Sequence, residues 1–245
     1  ITLMYTILGV IAKPLGMLLS LLYGFLHNYG LTIIIFTLIV KLCLYPLYIK
    51  QTKSTARMAE VQPKMQALQR KYANDKETLN IKMAELYKEE KFNPMGGCLP
   101  MLIQMPIIMG LFALLRNPMQ YISDDSNMIF AFHESFAWIA DLSQPDRWIL
   151  PIIAGVATFI SFSMTQALSG GGDANNQMAG MTKMMKYIFP IMILWMARSF
   201  PSGLALYWAV SQIMQIGFNI HLSTVRKKMK REAEEKRLME KAKKK

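Results

Sequence analysis

The chain has 245 residues, 53% hydrophobic and 18% charged, with 28 basic side chains against 16 acidic ones and a formal net charge of +12. Such hydrophobicity excludes a disordered chain, and apolar runs of about 20 residues exclude an ordinary soluble domain, whose helices keep a polar face. The two cysteines, Cys43 and Cys98, lie in apolar runs without CxxC or Cys/His spacing. They suggest neither a disulfide framework nor a zinc site, and read as buried thiols acting as small hydrophobes.

In chain order, residues 1–30 come first. Leu15 to Leu26 is apolar for about a dozen residues before His27, Asn28 and Gly30 interrupt it, which suits an extracytoplasmic interfacial helix better than the alternative, a sixth span from Pro14 that would put both termini inside. The start at Ile1, without a basic n-region, leads to the expectation that an upstream signal or anchor has been removed. Five stretches then have the length and apolarity of spans: 31–49, 95–116, 148–168, 181–199 and 201–222. The fourth is short, because only the 11 residues Tyr187 to Ala197 separate Lys186 from Arg198. That is about 17 Å of helix, so its flanking lysines must snorkel or the bilayer must thin.

Loop charges give the orientation. Residues 50–94 hold ten basic side chains against six acidic, and the tail 223–245 holds eleven against four. Both are expected in the cytoplasm, with the short loop 169–180. The loop 117–147, bracketed by Arg116 and Arg147, carries Asp124, Asp125, Glu134, Asp141 and Asp146 and belongs outside. The amino terminus is then outside and the carboxyl terminus in the cytoplasm.

The insert 50–94 has its own helical signal. Met58, Val61, Met65, Leu68 and Tyr72 form a 3-4-3-4 seam; Asn74 is the expected N-cap with Glu77 three residues on, and Leu79, Met83 and Leu86 begin a second stripe. This predicts an antiparallel helical hairpin, kinked at Pro63, whose Met58, Met65 and Met83 offer an adaptable docking surface.

Lys41 lies ten residues into the first span and eight from its end. An ammonium near mid-bilayer costs about 3 kcal/mol on insertion scales, so it should face water or a protein cavity. None of the five spans contains an Asp or Glu, which leaves water, carbonyls, hydroxyls or a visiting acidic group as its partner. Other polar residues fall on stripes: Thr37, Lys41 and Tyr48 on the first span, Thr158, Ser161 and Thr165 on the third, and Trp208, Gln212, Gln215 and Asn219 on the fifth. The second span adds Gln104 between Pro100 and Pro106. Turned toward one another, as lipid-facing amides and hydroxyls would be costly, these stripes predict a wet, cationic intramembrane cavity.

A small-solute transporter or channel is one use of such a cavity, though acids and repeated halves are missing. An enzyme fits less well: there is no HExxH or GxSxG, no metal or cofactor motif, and Ser202 in Pro-Ser-Gly reads as turn chemistry. The third class is an insertase or chaperone offering a hydrophilic slot to polypeptide. Thr37 and Lys41 followed by LYPL (Leu44 to Leu47), NPMGGCLPMLIQMPI (Asn93 to Ile107) and FPSGLALYW (Phe200 to Trp208) together resemble the YidC membrane-insertase family, to which mitochondrial and chloroplast insertases are related. Trp138 to Leu142 and the ILP at Ile149 to Pro151 agree with it.

The resemblance implies an all-α polytopic protein of the bacterial plasma (inner) membrane. Five helices would enclose a groove closed outside and open to cytoplasm and lipid, in the form without a large periplasmic domain. It implies insertion of small nascent membrane proteins, alone or with the Sec translocon, by a chain expected to be monomeric and to use no cofactor. Lys41 stands where the family usually has a positive groove residue, most often arginine; Thr37 and Trp208 match substrate-contacting positions, and Ser161 stands near an expected polar residue. With Gln104, Gln212 and Gln215 they form the candidate substrate groove. The tail, with Arg226, Lys227, Lys228, Lys230 and Arg231, is the candidate contact for ribosomal RNA or anionic lipid.

Overall fold

The computed structural model describes residues 2–90, 99–116, 121, 130–168 and 177–243. Side chains within these are described except those of 2–8, 51–60, 99–103, 116, 168, 177–183, 226, 229, 230 and 232–243. Seven helices lie among the described residues: α1 (Thr2–Leu26), α2 (Tyr29–Lys71), α3 (Lys76–Glu89), α4 (Leu99–Arg116), α5 (Ile149–Leu168), α6 (Gln177–Ala197) and α7 (Ser202–Lys243). Gly9–Leu26, Tyr29–Lys50 and Ile149–Ala167 are long and apolar enough to cross a membrane, with shorter apolar stretches at Gln104–Leu115 and Met184–Ala197. The chain is an all-α polytopic membrane protein.

Span and arm are not separate elements. α2 runs for 43 residues from the first apolar stretch through the first arm of the hairpin, past Pro46 and Pro63. The residues between Lys50 and Glu60 are mostly good helix formers, so nothing stops it where the apolar stretch ends. α7 likewise continues for 42 residues into the basic tail. Its first half falls short of the apolarity of the three long stretches, because Ser211, Gln212, Gln215, Asn219 and His221 interrupt it.

α7 is the hub: it packs on α2, α5 and, less extensively, α4 and α6, while α1 packs on α2 and α4. The core is built around Tyr29, Phe36, Leu111, Leu114, Ala154, Leu204, Ala205 and Tyr207. α1 is longer than its apolar dozen suggested, since Lys13 and Pro14 lie on its exposed side and leave the helix unbroken. A Cβ at Gly9 would lie 3.7 Å from the Tyr121 ring, and the Tyr23 hydroxyl donates to Glu134. Both ends of α1 therefore meet the connector between α4 and α5.

That connector also fastens three helix starts. Glu134 accepts the backbone N–H of Tyr29 at 2.7 Å at the first turn of α2, where the Asn28 side chain caps Leu31 at 2.9 Å. Asp146 accepts from the N–H groups of Trp148 (3.1 Å) and Leu150 (2.8 Å) at the start of α5 and from the Trp138 indole at 3.1 Å. Burial alone would raise the Asp146 carboxyl, but these donors hold it below the usual aspartate range. At α7 the N–H groups of Ser202 and Gly203 donate to the carbonyls of Gln144 and Leu142, each at 2.9 Å. Gly30 is where connector and α2 approach closest: a Cβ there would sit 2.1 Å from Phe136 Cγ.

The hairpin forms by Val61, Met65 and Leu86 packing together, with Leu68, Met83 and Tyr87 around them. Its second helix is capped by Asp75, whose side chain accepts from Thr78 N–H at 3.0 Å, one residue later than the Asn74 cap expected. The turn Tyr72–Asp75, closed by a 3.1 Å backbone bond, moves the start along.

Candidate functional site

Lys41 is buried, 3% exposed, and donates to the Tyr48 hydroxyl at 3.0 Å and to Gln104 Oε1 at 3.3 Å. Two turns of α2 separate Lys41 from Tyr48, which puts them on one face. The Gln104 Nε2 then donates to the Tyr207 hydroxyl at 2.9 Å. One chain of hydrogen bonds thus ties α2, α4 and α7 together through a single ammonium. Among the described residues these polar side chains close around Lys41. A hydroxyl and a neutral amide solvate the charge, which is how a buried cation without an acid is held.

A second network lies on the other side of α7. The Trp208 indole donates to Thr158 Oγ1 at 2.9 Å, and the Thr158 hydroxyl donates to the Ala154 carbonyl at 2.6 Å. Further along, Asn219 Nδ2 donates to the Ser161 carbonyl at 3.2 Å and Thr165 Oγ1 at 3.0 Å, and Gln215 Nε2 to Asn219 Oδ1 at 3.3 Å. The polar stripes of α5 and α7 do face each other. Tyr207 and Trp208, adjacent in sequence, join the two networks.

The groove candidates divide accordingly. Lys41 and Gln104 are in direct contact, Trp208 is bound to Thr158, and Ser161 and Gln215 are linked through Asn219. Gln212 is buried on α7. Thr37 is buried, but its hydroxyl donates to the Ile33 carbonyl of its own helix at 2.7 Å. The hydroxyl of Ser202 is likewise spent on the Gln144 carbonyl, at 2.5 Å, in keeping with a turn residue.

Elsewhere the structure redistributes roles. Met65 is buried in the hairpin seam and Met83 packs partly buried beside it, so both help hold the hairpin together; among the described residues Ile81 is a large apolar side chain exposed there. The Met58 side chain lies outside the described residues, as do those of Arg226 and Lys230. Lys227, Lys228 and Arg231 are exposed on the helical extension of α7. Cys43 is exposed beside Leu42, on a face that lipid rather than protein would cover; Cys98 lies outside the described residues. Among the described residues no group of three or more His, Cys, Asp or Glu side chains could hold a metal.

Residues 21–232 match the family described as 60Kd inner membrane protein. The chain belongs to this family. A membrane protein insertase YidC of Fusobacterium nucleatum is 41% identical over 211 residues, covering 86% of this chain and 93% of that relative. The corresponding proteins of Lawsonia intracellularis and Ectopseudomonas mendocina are each 38% identical, over 85% and 89% of this chain. The chain spans only 38% and 34% of the length of those two longer relatives. It is thus a multi-pass member of an inner-membrane family.

Proposed function

We propose that this chain inserts and helps fold small membrane proteins, the activity for which its relatives are named. The buried Lys41 carries the reading: a cation held at the centre of a helical bundle with no acid in any span is poised for an acidic group that arrives from outside. α2 up to Lys50, α4, α5, α6 and the first half of α7 form five spans. α1 lies along the outer face, a placement supported by the contacts of both its ends with the outer connector. The amino terminus is then outside and the tail in the cytoplasm.

An incoming hydrophobic chain is received at the cytoplasmic hairpin while the basic extension of α7 rests on ribosomal RNA or anionic lipid. Its short polar segment enters beside Lys41, where low dielectric strengthens the attraction for its carboxylates. Its apolar segment leaves along Ile152, Val156 and Ile160 of α5 and Ile213 and Ile220 of α7, which face outward. The outer connector, fastened to three helices, closes the far end. The short apolar stretch of α6 carries Lys186 near one end, over the Phe159 ring at 5.7 Å, and Arg198 just past the other, over Trp148 at 4.3 Å. Cations so placed favour a thin bilayer there. The chain acts alone or beside the Sec translocon, as a monomer.

Protease protection of a small single-span protein with an acidic tail, synthesised onto proteoliposomes, tests this. Wild type and Lys41→Arg are expected to protect it and an equally folded Lys41→Leu is not; equal protection by all three removes the groove charge from the mechanism. In the same assay, deleting residues 58–88 should abolish protection. Truncation at Arg226 should weaken ribosome co-sedimentation most at moderate salt; unchanged sedimentation would assign the tail to lipid.

A further inference from the structure

Gln104 holds Lys41 in a way that the insertion reading alone does not require. Its Oε1 accepts from the ammonium at 3.3 Å, a long bond, while its Nε2 is anchored at 2.9 Å on the Tyr207 hydroxyl. The firmer bond is a pivot; the weaker one is the contact to the charge. Two residues on, Pro106 has no N–H to give the carbonyl one turn back, so the turn of α4 that carries Gln104 is less tightly laced than a regular one. Lys41 itself is fixed from the other side by Tyr48 at 3.0 Å.

We propose that Gln104 is a displaceable internal ligand of Lys41: its amide oxygen occupies the place a substrate carboxylate takes, and insertion of an acidic segment proceeds by exchange. The inference rests on the insertase reading and adds what sets its selectivity. A neutral amide is a weaker partner for an ammonium than a carboxylate, because charge-assisted bonds are roughly twice as strong as neutral ones. An acidic segment therefore displaces Gln104, whereas a segment carrying only amides or hydroxyls gains nothing by the exchange. On leaving Lys41 the Gln104 amide keeps its bond to Tyr207. The resting protein thus never holds a bare buried cation, and the energy of pairing is reserved for substrates that bring a negative charge.

The test is the ratio of insertion of two substrates that differ only in the tail, Asp against Asn, into proteoliposomes containing wild type, Gln104→Glu or Gln104→Met. Gln104→Glu is isosteric, and the Tyr207 hydroxyl can donate to its carboxylate, so the fold is kept while Lys41 gains a permanent ion-pair partner. The acidic-to-neutral ratio is expected to fall about tenfold in Gln104→Glu and to rise about threefold in Gln104→Met, where no amide oxygen competes for the ammonium and only the Tyr48 hydroxyl remains. A contact that is only structural would lower both substrates together and leave the ratio unchanged; that result, or an unchanged ratio at full activity, overturns the proposal. Wild type no better than empty liposomes refutes the insertase reading itself, and the exchange with it.

Discussion

Removing the Glu134 carboxylate should loosen the end of the bundle at the connector between α4 and α5 well beyond its own contacts. Glu134→Ala deletes an acceptor for the buried Tyr29 N–H, 2.7 Å away, and for the Tyr23 hydroxyl, and removes a negative charge from the first turn of α2. Hydrogen bonds to charged groups contribute about 1.5 to 3 kcal/mol each, and a charge at a helix start about 0.3 to 1. Glu134 is only half-buried, so the low end of each range applies, giving about 3 kcal/mol, or roughly a hundredfold in the population of the open connector. Glu134→Gln keeps one acceptor and should lose about half of that. The assay is amide hydrogen exchange in detergent or nanodiscs at Gly203, whose N–H is bonded to Leu142 in the same connector. Faster exchange at Gly203 in Glu134→Ala shows that the connector opens as one unit. A rise confined to Tyr29 would refute the idea that it fastens α1, α2 and α7 together.

Gly30→Ala should destabilise the fold by about 2 to 3 kcal/mol, because its Cβ would meet the Phe136 ring at 2.1 Å. Phe136→Ala in the same chain should recover at least about 1 kcal/mol of that in thermal unfolding, and strictly additive losses would deny the contact. Asp146 gives a pH dependence: its folded carboxyl lies below the usual aspartate range. Its stabilisation is therefore complete above that range and is lost as the pH falls through the folded value. Thermal stability of wild type should drop on acidification more steeply than that of Asp146→Asn, and parallel curves would count against this.

Much of the site was legible in the residues. The isolation of Lys41 from any acid, the amide at Gln104 and the facing stripes on α5 and α7 follow from spacing and from the cost of lipid-facing polar groups. Tyr207 was not visible, because a tyrosine in an apolar run is indistinguishable from a core aromatic until its hydroxyl is placed. Glu134 was hidden among the acidic residues of the connector between α4 and α5: nothing local tells that a carboxylate will cap a helix 105 residues away in sequence. Periodicity found the hairpin seam, but it could not tell a methionine that holds the seam from one that displays a surface, since both lie on the apolar stripe. The continuity of α2 and α7 past their apolar stretches also escaped, because a change from apolar to charged composition does not by itself end a helix.

In the proposed insertion a polar segment passes beside Lys41 while its apolar neighbour stays in lipid. A photo-crosslinking residue at Gln212, buried on α7, and another at Met17, exposed on α1, should be compared against a ribosome-stalled single-span substrate. Capture of the polar tail at Gln212 and not at Met17, reduced in Lys41→Leu, is the result expected. Capture at Met17 alone, with Gln212 silent at every stall length, would contradict it.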